Sequence, residues 1–338
     1  MATMNYKNKQ FYLKTRPQGV VTSEAVPVRE RVISEIHEGQ LVIENHYISI
    51  DPAIRGWMRD EPSYMPPIEL NEVIRSTTVG TVVESRHPDY AIGDVVYGVN
   101  GWETYSVSNG YFLTKVPENN HHPLHYYIGV LGAVGLTAYF GVTDRSGLKK
   151  GETLLMSAAA GAVGSLGGQI AKLMGCRVVG IAGSDDKCER IKSLGFDDAI
   201  NYKTTKDMTS AIKEACPEGV DVFFDNVGGE ILDAALMNLN QFGRVLFCGS
   251  ISTYNAVDPV PGPYNWWQIL ARSAEVRGFL VSDYFDQFSS AAQTLGGWID
   301  EGKIEFKDEI VEGFDQCLNT FNKLFDGSNQ GKTLIKIR

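Results

Sequence analysis

Two hydrophobic rhythms divide this sequence. Up to about residue 125, apolar positions come in short, β-branched runs: QLVIENHYISIDPAI, STTVGTVVESRHPDYAIGDVVYGVNGWETYSVS and YFLTKVP, broken by Gly, Pro and Asn-Gly turns. This rhythm predicts short strands joined by tight turns, hence a compact, mostly antiparallel β domain. HHPLHYYIGVLGAVGLTAYFGVTDRSG then changes to a helical period. From Gly151 onward six short apolar runs follow: ETLLMSA (152–158), CRVVGIAG (176–183), DDAINY (197–202), GVDVFFDNVGG (219–229), FGRVLFCGS (242–250) and AEVRGFLVS (274–282). Between the first two, Leu166, Ile170, Leu173 and Met174 share one helical face. CERIKSLGF predicts a helix ending at Gly195, and ILDAALMNL (231–239) predicts another. Buried strands alternating with helices predict an α/β fold with a doubly wound, six-stranded parallel sheet. The last run, KTLIKIR, has no neighbour in that alternation and is expected to return to the β domain. The domains are therefore expected at 1–127 with 303–338, and at 128–302.

The first strand–helix junction reads SAAAGAVGSLGG, a dinucleotide turn with Ala159 where the first glycine of G-x-G-x-x-G is expected, followed by Gly161 and Gly164. Such a turn lets backbone amides and a helix N-terminus face a pyrophosphate. Ala159 needs only a conformation open to an L-residue, Gly161 lets the backbone approach the phosphates, and Gly164 lets helix pack on strand, the helix being expected to follow Gly164. Cofactor type is read at the end of the second strand, where an NAD site places an acid on the ribose 2′-hydroxyl. Here Gly183 and Ser184 leave room for a 2′-phosphate and Lys187 supplies a counter-charge, whereas Asp185 and Asp186 suit a ribose. From spacing alone NADPH and NAD both remain open, and DDK also reads as the first turn of the next helix.

Composition narrows the partners. With 338 residues and a net charge of −10, the chain is ill-suited to nucleic acid or an anionic membrane. It has no apolar run of bilayer length and no signal-peptide pattern, so a cytoplasmic location is expected. Five scattered cysteines, Cys176, Cys188, Cys216, Cys248 and Cys317, have no C-x-x-C spacing and read as reduced and mostly buried. His121, His122 and His125 cluster around a proline with no cysteine nearby, and are expected to form a solvated inter-domain linker rather than a metal site. Trp266 and Trp267 open a helix and are expected to pack in the core or between subunits.

The order of a β domain, GLTAYFG, the Gly-rich turn, GSDDK, NYK, FDNVGG and CGSIS followed by Tyr254-Asn255 resembles the medium-chain dehydrogenase/reductase superfamily. More narrowly it resembles the zinc-independent prostaglandin/alkenal (leukotriene-type) reductase branch, which includes bacterial NADPH-dependent curcumin reductases. The likeness runs from YISIDPAIRGWM (47–58) to NQGKTLIKI (329–337). It implies a GroES-like domain beside a Rossmann domain, NADPH as cofactor, and reduction of the carbon–carbon double bond of α,β-unsaturated ketones and aldehydes. By position it implies that Gly161, Ala162, Val163 and Gly164 hold the pyrophosphate. Gly183 and Ser184 lie beside the ribose, Lys187 binds the 2′-phosphate and Tyr202 flanks it. Asn226 lies along the cofactor, Cys248, Gly249, Ser250 and Ile251 pass near the nicotinamide, and Phe279, Leu280 and Val281 complete the cofactor set. Thr137 forms the floor, Asn329 closes over the cofactor from the other domain, and a homodimer pairs at the edge of the parallel sheet.

Two departures stand out. Ala53 in SIDPAIRGWM occupies a position where relatives commonly have an aromatic, which changes the pocket, and SAAAGAVG carries one more alanine than the usual loop. Zinc-dependent members need a first-domain cysteine and a Gly-His-Glu element, yet no cysteine precedes Cys176 and no GHE occurs. Hydride delivered to the β-carbon of an enone leaves negative charge on the carbonyl oxygen, so donors must stabilise an enolate. Tyr254 and the cofactor's ribose hydroxyl are the candidates; Tyr64, in EPSYMPPIEL, is a second candidate for the pocket wall. A loop tyrosine packed on the fifth strand is the plainer reading of Tyr254, and a proline-stiffened loop that of Tyr64. A quinone reductase on the same scaffold and a catalytically silent cofactor-binding protein are the competing functions.

Overall fold

The computed structural model describes residues 4–337, and the chain divides into two units, Met1–Gly129 with Asp308–Arg338, and Val130–Lys307. In the first unit β1 (Tyr6–Phe11) and β2 (Val28–Ile33) form an antiparallel ribbon. β3 (Leu41–Ser49), the short helix α1 (Ala53–Trp57), β4 (Arg75–Ser85), β5 (Val95–Gly101), β6 (Tyr105–Ser108) and β7 (Leu113–Lys115) follow. β3, β4, β5 and β7 run antiparallel in that order and β6 pairs with β3. Leu41, Ile43, Val82 and Val96 bury one face, as their alternation demands. Gly80 is required where β4 crosses β3: a Cβ there would lie 2.2 Å from the Glu44 carbonyl oxygen.

The second unit opens with α2 (Ala133–Phe140) and then alternates. Its elements are β8 (Thr153–Met156), α3 (Ala162–Leu173), β9 (Arg177–Ala182), α4 (Asp185–Ser193), β10 (Asp198–Asn201), α5 (Met208–Ala215), β11 (Val220–Asp225), α6 (Gly229–Met237), β12 (Leu239–Phe247), α7 (Trp267–Ala271), β13 (Glu275–Gly278) and α8 (Phe288–Asp300). The six strands form one parallel sheet in the order β10-β9-β8-β11-β12-β13, the doubly wound arrangement expected from the alternation. Leu155, Val179, Ile181, Phe223 and Val245 form its buried layer against the α5–α6 side. Some boundaries move. α3 begins at Ala162 rather than after Gly164, and β12 begins at Leu239, which had been assigned to the preceding helix. Trp266 and Trp267 are 51% and 68% exposed, so they do not enter the core of this chain.

The C-terminal segment returns to the first unit through β14 (Asp308–Glu312), α9 (Cys317–Asp326) and β15 (Lys332–Lys336). β15 pairs antiparallel with β3 and parallel with β14. α9 seats Phe321 edge-on against Trp102, which meets Phe11 the same way, so both ends of the chain share one aromatic core. His125 departs from the solvated-linker expectation: its side chain is 15% exposed and Nε2 lies 2.9 Å from Asp308 Oδ2 within this unit. Lys332 is 1% exposed, and its Nζ donates to Asp51 Oδ1 at 2.7 Å and to the Ile50 carbonyl at 3.1 Å. Removing one partner of a buried pair strands the other. Lys332→Ala is therefore expected to cost about 3 kcal/mol in urea unfolding; a loss below about 1 kcal/mol would assign the pair the value of a surface ion pair.

Candidate functional site

The site residues of the second unit collect at the carboxyl ends of its parallel strands, where α/β sheets place ligands, around the switch point between β8 and β11. After β8 the chain turns sharply. Ala158 takes a left-handed φ of 48°, and Gly161 N–H donates to its carbonyl at 2.9 Å. The sequence placed the tight turn at Ala159, but the strained residue is its neighbour. Ala159 itself is fully buried and donates to Ile181 O in β9 at 2.9 Å. Gly161 caps α3 in extended conformation, and the first helical bond runs from Ser165 N–H to Gly161 O. The amides of Ala162, Val163 and Gly164 therefore point out of the helix end, where they and the helix dipole suit an anion. A Cβ on Gly164 would sit 2.4 Å from Ala158 O, so glycine is what lets the helix settle on the turn.

The end of β9 forms a second corner. Ser184 Oγ caps α4 by accepting from Lys187 N–H at 3.3 Å. Tyr202, at the end of β10, donates its amide to Ala182 O and lays its ring beside Gly183, whose missing side chain leaves the space. Gly183, Ser184, Lys187 and Tyr202 are thus brought together from two strand ends. Asp185 and Asp186 are exposed in the first turn of α4, and Asp185 Oδ1 accepts from Asn201 Nδ2 at 2.7 Å. The acids serve the helix end rather than the strand end.

Beyond the switch point, β11 ends in Asp225, a fully buried carboxyl that sequence reasoning passed over. Its Oδ1 accepts from Val227 N–H at 2.9 Å, Gly228 N–H at 2.9 Å and Ser157 Oγ at 3.1 Å, while its carbonyl accepts from Cys248 and Gly249 N–H. Asn226 leans the other way, donating its amide to Ser157 Oγ and its Nδ2 to Ser157 O at 2.8 and 2.9 Å. The β8, β11 and β12 loops are laced into one unit. The only signal was the polar pair in FDN at the end of an otherwise apolar strand, together with a serine at the start of the turn.

Tyr254 closes this cluster. Its Oη accepts from Ser250 N–H at 3.2 Å and sits against Gly249, where a Cβ would be 3.1 Å away. Burial pushes its phenol above the usual tyrosine range, opposed by the Ser250 amide. It stays protonated. Burial likewise pushes the Cys248 thiol up to about 12, which makes it an uncharged neighbour rather than a nucleophile. Ile251 N–H donates to Asn226 O at 3.2 Å. Thr137 turns its hydroxyl back onto Ala133 O within α2 at 2.7 Å, and Phe279 is buried with its ring beside Gly141 and Tyr284, while Leu280 and Val281 are half-buried. Tyr64 and Asn329 belong to the first unit. Tyr64 is half-exposed with its ring edge-on to Trp57, and Asn329 lies half-buried in the turn between α9 and β15.

Residues 9–116 match a family model described as the N-terminal domain of oxidoreductase, and residues 162–296 one described as zinc-binding dehydrogenase. NADPH-dependent curcumin reductase of Escherichia coli (strain K12) is 39% identical over 343 residues, covering 100% of this chain and 99% of that protein. Prostaglandin reductase 1 of Bos taurus is 40% identical over 332 residues, covering 97% and 98%. The crystal structure of CurA in complex with NADPH from Vibrio vulnificus superposes with a TM-score of 0.92 at 35% identity, covering 98% of this chain and 99% of that one. This chain belongs to the zinc-independent medium-chain dehydrogenase/reductases, in their enone reductase branch. The zinc in the second model's description does not extend to this member, which has no cysteine before Cys176. As a medium-chain reductase it has its glycine turn after β8 and its phenol after β12, both at the carboxyl end of one parallel sheet.

Proposed function

We propose that this protein reduces the carbon–carbon double bond of α,β-unsaturated ketones and aldehydes with NADPH, without zinc. The observation that carries the cofactor reading is the corner at the end of β9. The Tyr202 ring lies beside Gly183, Lys187 stands in the first turn of α4 capped by Ser184, and Asp185 is engaged by Asn201. Asp185 is committed to Asn201, and Lys187 supplies a cation suited to a 2′-phosphate. The fit extends to the turn, where the outward amides of Ala162, Val163 and Gly164 suit a pyrophosphate.

NADPH, when bound, supplies the hydride. In this reading Lys187 and Tyr202 hold the 2′-phosphate and Asn226 keeps the switch-point loop in register. Cys248, Gly249, Ser250 and Ile251 form the wall of the nicotinamide site, with Phe279, Leu280 and Val281 at its far side. Tyr254 keeps its proton, because burial disfavours the phenolate. Its hydroxyl can then donate to the substrate oxygen as enolate charge develops. Thr137 is assigned to the rim of the same site, while Tyr64, Asn329 and Ala53 belong to the first unit and keep the roles that the family resemblance implies.

A homodimer is part of the proposal. β13 is an edge strand, and Trp267 and Leu270 of the adjoining α7 are each 68% exposed, an apolar surface suited to a second copy. A cytoplasmic location is proposed from the composition; no helix among the described residues is long and apolar enough to cross a membrane. The test is the initial rate of NADPH oxidation with an aryl enone or a benzoquinone, with a chelator present. Fast, chelator-resistant turnover with the enone is expected. Turnover with quinone alone would replace the reading with quinone reduction, and tight NADPH binding without turnover would make the protein a non-catalytic binder.

A further inference from the structure

We infer that Asp225 is the positioning residue of the cofactor site, an uncharged carboxyl that ties the β8 and β11 loops together in the shape NADPH requires, on a backbone from which the β12 loop hangs. The inference rests on the NADPH reading above and assigns the site a residue that contacts neither cofactor nor substrate. Three donors from two loops, Ser157 Oγ, Val227 N–H and Gly228 N–H, converge on Oδ1 within 3.1 Å. The same residue's carbonyl receives Cys248 N–H at 2.9 Å and Gly249 N–H at 3.0 Å, so the loop that carries Tyr254 hangs from it as well. Ser157 completes the lacing by accepting from Asn226 N–H at 2.8 Å. Its side chain thus ties the β8 loop to the β11 loop, and its backbone carbonyl ties the β12 loop to both.

The protonation state follows from the other oxygen. Oδ2 is buried and has no hydrogen-bond partner. A charge left on an unpartnered oxygen out of water is costly, and a proton there removes the charge. Burial accordingly pushes the carboxyl above the usual carboxylate range, against the pull of its three donors. The titratable groups that it faces, Cys248 and Tyr254, are themselves held protonated. Among the described residues no cation pairs with the Asp225 carboxyl, which is bonded to Ser157 and two backbone amides. An anion there would also repel the phosphates that the neighbouring helix end is built to receive. A neutral acid holds the loops without that repulsion.

The consequence is a pattern that simple structural support does not give. Asp225→Asn has the shape of a neutral acid and keeps an oxygen for the three donors, whereas Asp225→Ala removes the acceptor. Ser157→Ala removes one strut and leaves the carboxyl in place. The experiment measures the NADPH dissociation constant by nicotinamide fluorescence, and kcat with an aryl enone, for these three variants and the wild type. Affinity is expected to fall at least about tenfold in Asp225→Ala and several-fold in Ser157→Ala, and to recover to within about threefold of wild type in Asp225→Asn. Asp225→Asn as weak as Asp225→Ala, in folded protein, would mean that the charge is needed and would overturn the inference. Unchanged affinity in Asp225→Ala would overturn it too, and should that variant not fold, unchanged affinity in Ser157→Ala does the same. Wild-type protein that fails to bind NADPH overturns the proposed function along with it, whereas variants indifferent in a protein that binds NADPH overturn this inference alone.

Discussion

Tyr254→Phe lowers kcat for enone reduction about 10²–10³-fold and leaves KM for NADPH within about twofold. The reason is the timing of the charge. The ground-state carbonyl asks little of a donor, but the developing enolate asks a great deal, so a donor at this position lowers the barrier more than it tightens binding. The surroundings of Tyr254 support the role proposed for it. Ser250 N–H occupies an acceptor position of its oxygen at 3.2 Å, and burial keeps its proton in place. Because the phenol lies above the usual tyrosine range, kcat in the wild type is expected to stay flat through neutral and mildly alkaline pH rather than fall as the donor ionises. Steady-state kinetics from pH 6 to 9 check both statements. Equal losses in kcat and in NADPH affinity would reassign Tyr254 to holding the Ser250 loop.

Lys187→Ala raises KM for NADPH about 10–100-fold and leaves KM for NADH nearly unchanged. A charge-assisted bond to a phosphate contributes roughly 1.5–3 kcal/mol, and NADH has no phosphate at that place to lose. The selectivity of the effect matters more than its size. Lys187 lies in the first turn of α4, capped by Ser184, and its neighbour Asp185 is held by Asn201 at 2.7 Å. The lysine is the cation of this corner, and the proposed reading gives it the 2′-phosphate. A parallel loss with both cofactors would mean that the substitution disturbs the α4 cap. Tighter binding of NADH than of NADPH by the wild type would mean that Asp185 or Asp186 reads the ribose.

Most of the second unit was legible in the sequence because its strands are buried on both sides. Runs such as TLLM and VDVFFD can sit nowhere but in the middle of a covered sheet, and TLLM buries all four of its residues. The glycine turn was legible for the same reason, since its place after the first such run limits what it can be. Its inner geometry was not. Ala159 keeps a conformation open to an L-residue, as expected, but the left-handed φ at Ala158, one step earlier, had no signal in the sequence. α3 starts before Gly164 because Gly161, extended and followed by small residues, already caps it. Asp225 was invisible because a single acid ending an apolar strand looks like a loop residue, and only the convergence of Ser157, Val227 and Gly228 on it shows its burden. His125 was misjudged because its partner, Asp308, lies 183 residues away in the chain, beyond the reach of any local pattern.

The reduction of an enone, as opposed to any other use of this scaffold, is decided by where the hydride goes. Wild-type protein is given NADPH deuterated at the transferred position of the nicotinamide together with an aryl enone, and the product is read by NMR and mass spectrometry. The structure and family together predict a saturated ketone with one deuterium on the former β-carbon. Deuterium on the former carbonyl carbon of an allylic alcohol, or an enone recovered unlabelled while NADPH persists, would contradict the account.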